Sequence, residues 1–195
     1  LQCVRLSLEN APETGELRIF NQFTETFSVN QLAEKVVAAA RRLNLDVQIQ
    51  GLENLPENRK CFFVGNHAFG FIDGLIITKT VSEKYGDLKF IGNDVFLMIP
   101  NIKHMVAAVN MFDSSPREYL LELNKIYHSD FPITHFPNGS VSRIYKGRVR
   151  DNYWHKSFIS KAVCCQRDIV PFKFYGRNSL LFYAVFILRR MLCIK

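Results

Sequence analysis

The stretch Val64-Gly-Asn-His-Ala-Phe-Gly-Phe-Ile-Asp-Gly-Leu75 places a histidine, His67, six positions before a carboxylate, Asp73, in an apolar, glycine-containing setting. An imidazole accepts a proton near neutral pH. A carboxylate hydrogen-bonded to it fixes its tautomer and stabilises the imidazolium that forms. The chemistry suited to such a pair is general-base activation of a hydroxyl or of water, with Asp73 orienting His67. One His and one Asp at this spacing also arise by chance, and histidine fills structural roles well. The pair therefore needs a second element.

That element lies further along. Phe136-Pro-Asn-Gly-Ser-Val-Ser-Arg143 follows an apolar run at residues 131–135 and reads as a strand end opening into a polar, Gly-containing loop. In open α/β sheets, ligands bind in the crevice outside the carboxyl ends of the strands. Two polar loops, each following a strand, are expected to face one site. Amides around Gly139 are candidate oxyanion donors there.

Together these segments resemble the glycerolipid and lysophospholipid acyltransferase superfamily. Asn66-His67…Asp73 is similar to its catalytic Asn-His…Asp motif. Residues 136–142 are similar to its Phe-Pro-Glu-Gly-Thr-x-Ser acceptor motif, and Ile169-Val-Pro-Phe172 to its later Ile-Val-Pro motif. The order agrees, and the motifs fall within residues 61–179. Trp154-His-Lys-Ser-Phe-Ile-Ser-Lys-Ala162 and Gly176-Arg-Asn-Ser179 resemble the hemolysin-like bacterial branch, which includes acyltransferases that make ornithine and glycine lipids.

The resemblance implies a glycerol-3-phosphate acyltransferase-like α/β domain. It implies transfer of a fatty acyl group to a lyso-lipid hydroxyl, with acyl carrier protein or coenzyme A thioester as co-substrate and no bound cofactor or metal. The expected place is the cytoplasmic, inner face of the membrane, held peripherally. Catalysis falls to His67 and Asp73. Substrate contacts fall to Asn66, Phe136, Pro137, Asn138, Gly139, Ser140, Ser142, Arg143 and Arg177. Arg177 and Asn178 either shape the acceptor pocket or cap the last helix.

Three departures bear on the substrate. Five residues, Ala68 to Ile72, separate His67 from Asp73 where the superfamily usually has four; the hemolysin-like branch shares the longer spacing. Asn138 stands where the acceptor motif has Glu, so it can hydrogen-bond an acceptor but cannot act as a carboxylate. The middle motif, which carries an Arg for glycerol phosphate, corresponds to Val106-Ala-Ala-Val-Asn-Met-Phe-Asp113, with no basic residue. A phosphate would lose its bidentate partner. A hydroxylated acyl-amino-acid lipid is therefore the expected acceptor, and lysophosphatidic acid the alternative. Two rivals remain open. One is hydrolysis, although the chain lacks a Gly-x-Ser-x-Gly nucleophile elbow. The other is a non-catalytic membrane-binding or lipid-binding module.

At 195 residues, 48% apolar and with 17 Phe, the chain fits one domain with a substantial core. Lys and Arg outnumber Asp and Glu by 25 to 18, a net charge of +7. That balance suits an anionic membrane surface, an acidic carrier protein or nucleic acid; no nucleic-acid motif is present, so no such partner is expected. Five cysteines without metal spacing read as free thiols of a reducing compartment. His104, His128, His135 and His155 are too irregularly spaced for a metal site, and His135 is a candidate for lining the pocket. No secretory signal is visible. Both ends are expected to be truncations, and the resemblance implies a natural protein that continues past Lys195.

Residues 1–50 are expected to form an N-terminal helical segment leading into the domain, and residues 51–195 the acyltransferase-like α/β domain. The pattern predicts an amphipathic helix over residues 30–44, with Leu32, Val36 and Leu43 on one face and Ser28 or Asn30 as cap. It predicts strands over 46–50, 61–64, 88–91, 131–135 and 169–174. Helices are predicted over 75–85, from Pro116 to about 128, and over 154–165. This alternation indicates a mixed, mostly parallel sheet flanked by helices. The apolar run at 180–188, followed by Arg189 and Arg190, is too short to span a bilayer. It reads as an interfacial helix or as a buried core helix. Arg143, Lys146, Arg148 and Arg150 form a basic cluster that either meets an anionic group or is simply solvated.

Overall fold

The run Cys-Phe-Phe-Val at 61–64 carries no polar residue on either face, so a strand built from it must be covered on both sides. It sits at the centre of the sheet. A computed structural model of the chain describes residues 4–9, 31, 38, 46–99, 102–110, 116–145, 147–176 and 178–191. In chain order the strands are β1 (Val4–Glu9), β2 (Asp46–Gln50), β3 (Cys61–Gly65), β4 (Lys89–Asn93), β5 (Val106–Val109), β6 (Ile133–His135), β7 (Arg143–Tyr145), β8 (Arg148–Arg150) and β9 (Asp168–Tyr175). The helices are α1 (Phe71–Tyr85), α2 (Arg117–His128), α3 (Ser157–Cys164) and α4 (Leu180–Met191).

Seven strands form one sheet in the order β2-β1-β9-β3-β6-β4-β5. Among the described residues its pairings are parallel except that of β1 with β2 at one edge. β7 and β8 form a separate antiparallel hairpin. The two faces of β3 lead into different cores. Cys61 and Phe63 pack with Ile76, Ile77 and Val81 of α1. Phe62 and Val64 pack with Ile126 of α2 and Ala162 of α3. This is the expected α/β class, a mostly parallel sheet with helices on both faces.

The differences from the expected elements have local causes. β1 alternates Val4, Leu6 and Leu8 with polar residues, a strand signal in a region the pattern left unassigned. Neither β5 nor the β7–β8 hairpin is marked by the pattern. α1 begins at Phe71 rather than at 75, because Gly70 and Asp73 build its first turn. The helix expected over 30–44 lies largely outside the described residues, of which Gln31 and Ala38 are helical. α4 buries Tyr183, at 2% exposure, and leaves Leu180, Leu181, Val185 and Leu188 exposed. Among the described residues, no helix is long and apolar enough to cross a membrane.

Arg167, between α3 and β9, is 5% exposed. Its guanidinium donates to the carbonyls of Tyr127 (2.7 Å), Phe131 (2.8 Å), Ile126 (2.9 Å) and Ser129. These include carbonyls at the end of α2, which have no partner within the helix.

Candidate active site

β3 and β6 are parallel neighbours, with Val64 opposite His135. Both loops singled out in the sequence therefore leave the same edge of the sheet, side by side. At the end of β3, His67 Nδ1 lies 3.0 Å from Asp73 Oδ2. The same oxygen accepts the N–H groups of Phe69 (2.8 Å) and Gly70 (3.2 Å). Gly70 is the N-cap of α1, at a φ of 80° that favours glycine, and Asp73 is the third helical residue reaching back to it. One carboxylate thus caps a helix, sits where the helix dipole favours negative charge, and holds the imidazole. Burial pushes the Asp73 carboxyl above its usual 3.8, while His67 and the two amides pull it back.

With a carboxylate accepting from Nδ1, the imidazole carries its proton there and keeps a lone pair on Nε2. The His67 ring lines the cleft described below. The pair can therefore take a proton from a hydroxyl in the cleft and keep the resulting cation beside Asp73.

The second loop packs directly on the first. The rings of His67 and Phe136 stack with centroids 4.2 Å apart. Phe136 meets Phe172 edge to face at 5.7 Å. Phe172 lies so close over Gly65 that a Cβ there would fall 2.2 Å from its ring. A side chain at position 65 would displace the stack that supports His67.

The loop is also tied by hydrogen bonds. Gly139 N–H closes a turn onto the Phe136 carbonyl at 3.0 Å, so it is engaged within the loop rather than turned outward as an oxyanion donor. Ser142 N–H donates to the His67 carbonyl at 2.6 Å. The single Ser142 hydroxyl proton faces both that carbonyl, at 3.0 Å, and Asp151 Oδ1, at 2.5 Å. The nearer, charged acceptor holds it. Asp151 also accepts from His67 N–H (3.3 Å) and Trp154 Nε1–H (2.8 Å). Sequence reasoning missed Asp151, because its link to His67 spans 84 positions and nothing local marks it.

Phe136, Pro137, Asn138 and Gly139 line a cleft of about 860 Å³ with His67, a size suited to an organic ligand. Phe71, Leu75, Phe90, Phe96, Ile102 and Met105 form one wall; Leu123 and Tyr127 of α2 contribute to another. None of the described lining residues is Lys, Arg, Asp or Glu. Val109 and Asn110, from the middle segment without a basic residue, border it. His135 and His155 line it too. Burial, followed by the neighbouring His155, pulls His135 down from 6.5 to about 4.

Other expected site residues are placed elsewhere. Asn66 exchanges hydrogen bonds with the Phe174 backbone, Nδ2 to the carbonyl at 3.0 Å and Oδ1 from the N–H at 2.7 Å, and so pins β9 to the end of β3. Ser140 is exposed, its carbonyl accepting from Asn138. The Arg143 guanidinium lies over the rings of Phe182 (4.5 Å) and Phe186 (4.9 Å) of α4, outside the cleft lining. Arg177 and Lys146 lie outside the described residues. Asn178 donates to the Ala68 carbonyl at 2.8 Å and ties the α4 segment to the His67 loop.

The acyltransferase family profile matches residues 15–195, nearly the whole chain. The chain belongs to the acyltransferase family. Among its relatives is a lyso-glycine lipid O-acyltransferase of Phocaeicola vulgatus, 37% identical over 72% of this chain and 51% of that protein. A lyso-glycine lipid O-acyltransferase of Bacteroides thetaiotaomicron is 32% identical over 90% of this chain and 64% of that protein. The acyltransferase-family chain thus spans about half of the first relative and under two thirds of the second. A further stretch of 54 residues is 44% identical to the UDP-sulfoquinovose synthase of Spinacia oleracea, covering 28% of this chain and 11% of that protein, too little to bear on the family. No solved structure matches the chain.

Proposed function

We propose that the protein is an O-acyltransferase that moves a fatty acyl group from an acyl carrier protein or coenzyme A thioester to the hydroxyl of a lyso-lipid built on an acyl-amino acid. The observation that carries this reading is the His67–Asp73 pair, 3.0 Å apart, on an apolar cleft lined by no Lys, Arg, Asp or Glu among the described residues. His67 Nε2 takes the acceptor hydroxyl proton as the oxygen attacks the thioester carbonyl. Collapse of the tetrahedral intermediate breaks the C–S bond, and the proton passes from His67 to the leaving thiolate. A positioned base supplies roughly 10²–10⁴-fold; the rest comes from holding both chains in register.

The acceptor class is supported by the two relatives, both lyso-glycine lipid O-acyltransferases. Docking on the inner face of the membrane is supported by the exposed Leu180, Leu181, Val185 and Leu188 on α4 and by the net charge of +7.

The test is lipid mass spectrometry on cells making the intact protein or its His67→Ala variant. A diacylated amino-acid lipid is expected with the first and absent with the second, at equal protein levels. Matching lipid profiles would overturn catalysis by His67. A change in phosphatidic acid instead would overturn the acceptor.

A further inference from the structure

His67 lies between β3 and α1, so neither a strand ladder nor a helix holds its backbone. Asp73 aims its ring; a closed circuit of hydrogen bonds fixes where its backbone stands. His67 N–H donates to Asp151 Oδ1 at 3.3 Å. The His67 carbonyl accepts Ser142 N–H at 2.6 Å. The Ser142 hydroxyl donates to the same Asp151 Oδ1 at 2.5 Å. Trp154 Nε1–H holds the other carboxylate oxygen, Oδ2, at 2.8 Å. The bond from His67 N–H is the longest of the four and is weak by itself. Asp151 therefore acts on His67 by two routes, directly and through Ser142, whose hydroxyl it fixes. The β7–β8 hairpin brings the two together. Its end pair is Arg143 opposite Arg150, so Ser142 and Asp151, one residue beyond on each strand, meet at its open end. Ser142 is 3% exposed there, and Asp151 is half-buried.

We propose that Asp151 is a positioning residue for the base: its carboxylate locks the His67 loop to Ser142 at the open end of the hairpin and so sets where His67 Nε2 stands in the cleft. This rests on the acyltransferase reading and adds to it a residue that lies outside the cleft lining. Two carboxylates then divide the work. Asp73 turns the imidazole and steadies its charge, and Asp151 holds the backbone that carries it. The work of Asp151 is that of an acceptor oxygen, not of a charge. A reacting group displaced by about 1 Å can lose roughly 100-fold in rate, so a loop held by so few bonds needs its anchor.

The test measures kcat and KM of the intact protein for a lyso-glycine lipid, per folded molecule, together with amide hydrogen exchange at His67. Asp151→Ala should lower kcat by about 100-fold and leave KM little changed, because the base is misplaced while the cleft lining is kept. The His67 amide should lose its protection in that variant. Asp151→Asn, made with Trp154→Phe so that its amide meets no opposing donor, keeps Oδ1 and should recover activity to within about 10-fold of the unmodified protein. Ser142→Ala deletes one bond of the circuit and keeps its own N–H; it should cost about 10-fold, the worth of one hydrogen bond, and gives the reading if Asp151→Ala folds poorly. An unchanged kcat in Asp151→Ala, a loss carried by KM alone, or an Asn variant as slow as the Ala variant would overturn the positioning role while leaving the acyltransferase reading intact. No transfer by the unmodified protein would overturn the acyltransferase reading alone, and His67 exchange would then decide the anchor: protection kept in Asp151→Ala would overturn it too.

Discussion

Asp73 and Arg167 are both charged and both buried, at 0% and 5% exposure, yet the protein treats them differently. Arg167 reaches four carbonyls around the end of α2, where backbone oxygens lack helical partners and the dipole favours a cation. Asp73 crowds His67 and two amides onto one oxygen and leaves the other, Oδ1, buried without a partner. A satisfied buried charge is a tie between elements. An under-satisfied one beside a titratable ring in a cleft is the arrangement found where charge must change during reaction. Burial alone does not separate the two roles; hydrogen-bond satisfaction does.

The largest stability effect should come from the satisfied charge. Arg167→Ala removes the Arg167 donor from the Tyr127, Phe131 and Ser129 carbonyls and should cost about 1–3 kcal/mol for each one left buried and unsatisfied. Denaturant unfolding measures it. Arg167→Lys should recover little, because a single ammonium cannot span four carbonyls as a planar guanidinium does. Turnover per folded molecule should stay unchanged in both. A loss under about 1 kcal/mol, the range of a surface pair, would break the contrast.

Asp73→Asn should show the opposite pattern, a fall in activity of about 100-fold or more with stability kept or raised at neutral pH. A carboxyl raised by burial binds its proton more tightly folded than unfolded. It therefore weighs against folding as pH rises above the usual 3.8 and ceases to do so below it. The stability advantage of Asp73→Asn over the natural protein should be greatest at neutral pH and close on acidification. Thermal unfolding across pH reads it; a variant less stable at neutral pH than at acid pH, relative to the natural protein, would show that Asp73 is a structural charge like Arg167.

This contrast also explains what could be read from the sequence. β3 and the His67–Asp73 pair were legible because their signals are local: an unbroken apolar run, then two chemical groups within one turn of a helix start. The adjacency of the two loops followed from strand ends in a parallel sheet. Asp151 and Arg167 were not legible, since their partners lie up to 84 and 41 positions away. The hairpin β7–β8, Arg-Ile-Tyr and Arg-Val-Arg, was hidden by its charges, which suggested a solvated loop. Asn66 showed its family motif but not its clamp on β9, a contact created only when the strands pair.

His135 offers the smallest test and the most local one. It shares with Asp73 a buried polar atom lacking a protein partner, but its proton linkage has the opposite sign. Held down to about 4, it stays neutral in the fold while the unfolded chain takes up a proton near 6.5. Its contribution to stability is complete above 6.5 and is lost as pH falls from there toward 4. One pH unit into that window the loss should be about 1 kcal/mol, and His135→Gln should remove it. The neighbouring His155 is the second cause of the lowering, after burial, so a His155→Gln background should shrink the effect. If acidification through this window costs the His135→Gln variant as much as the natural protein, then His135 is solvated in solution, and water supplies the partner that its Nδ1 lacks in the fold.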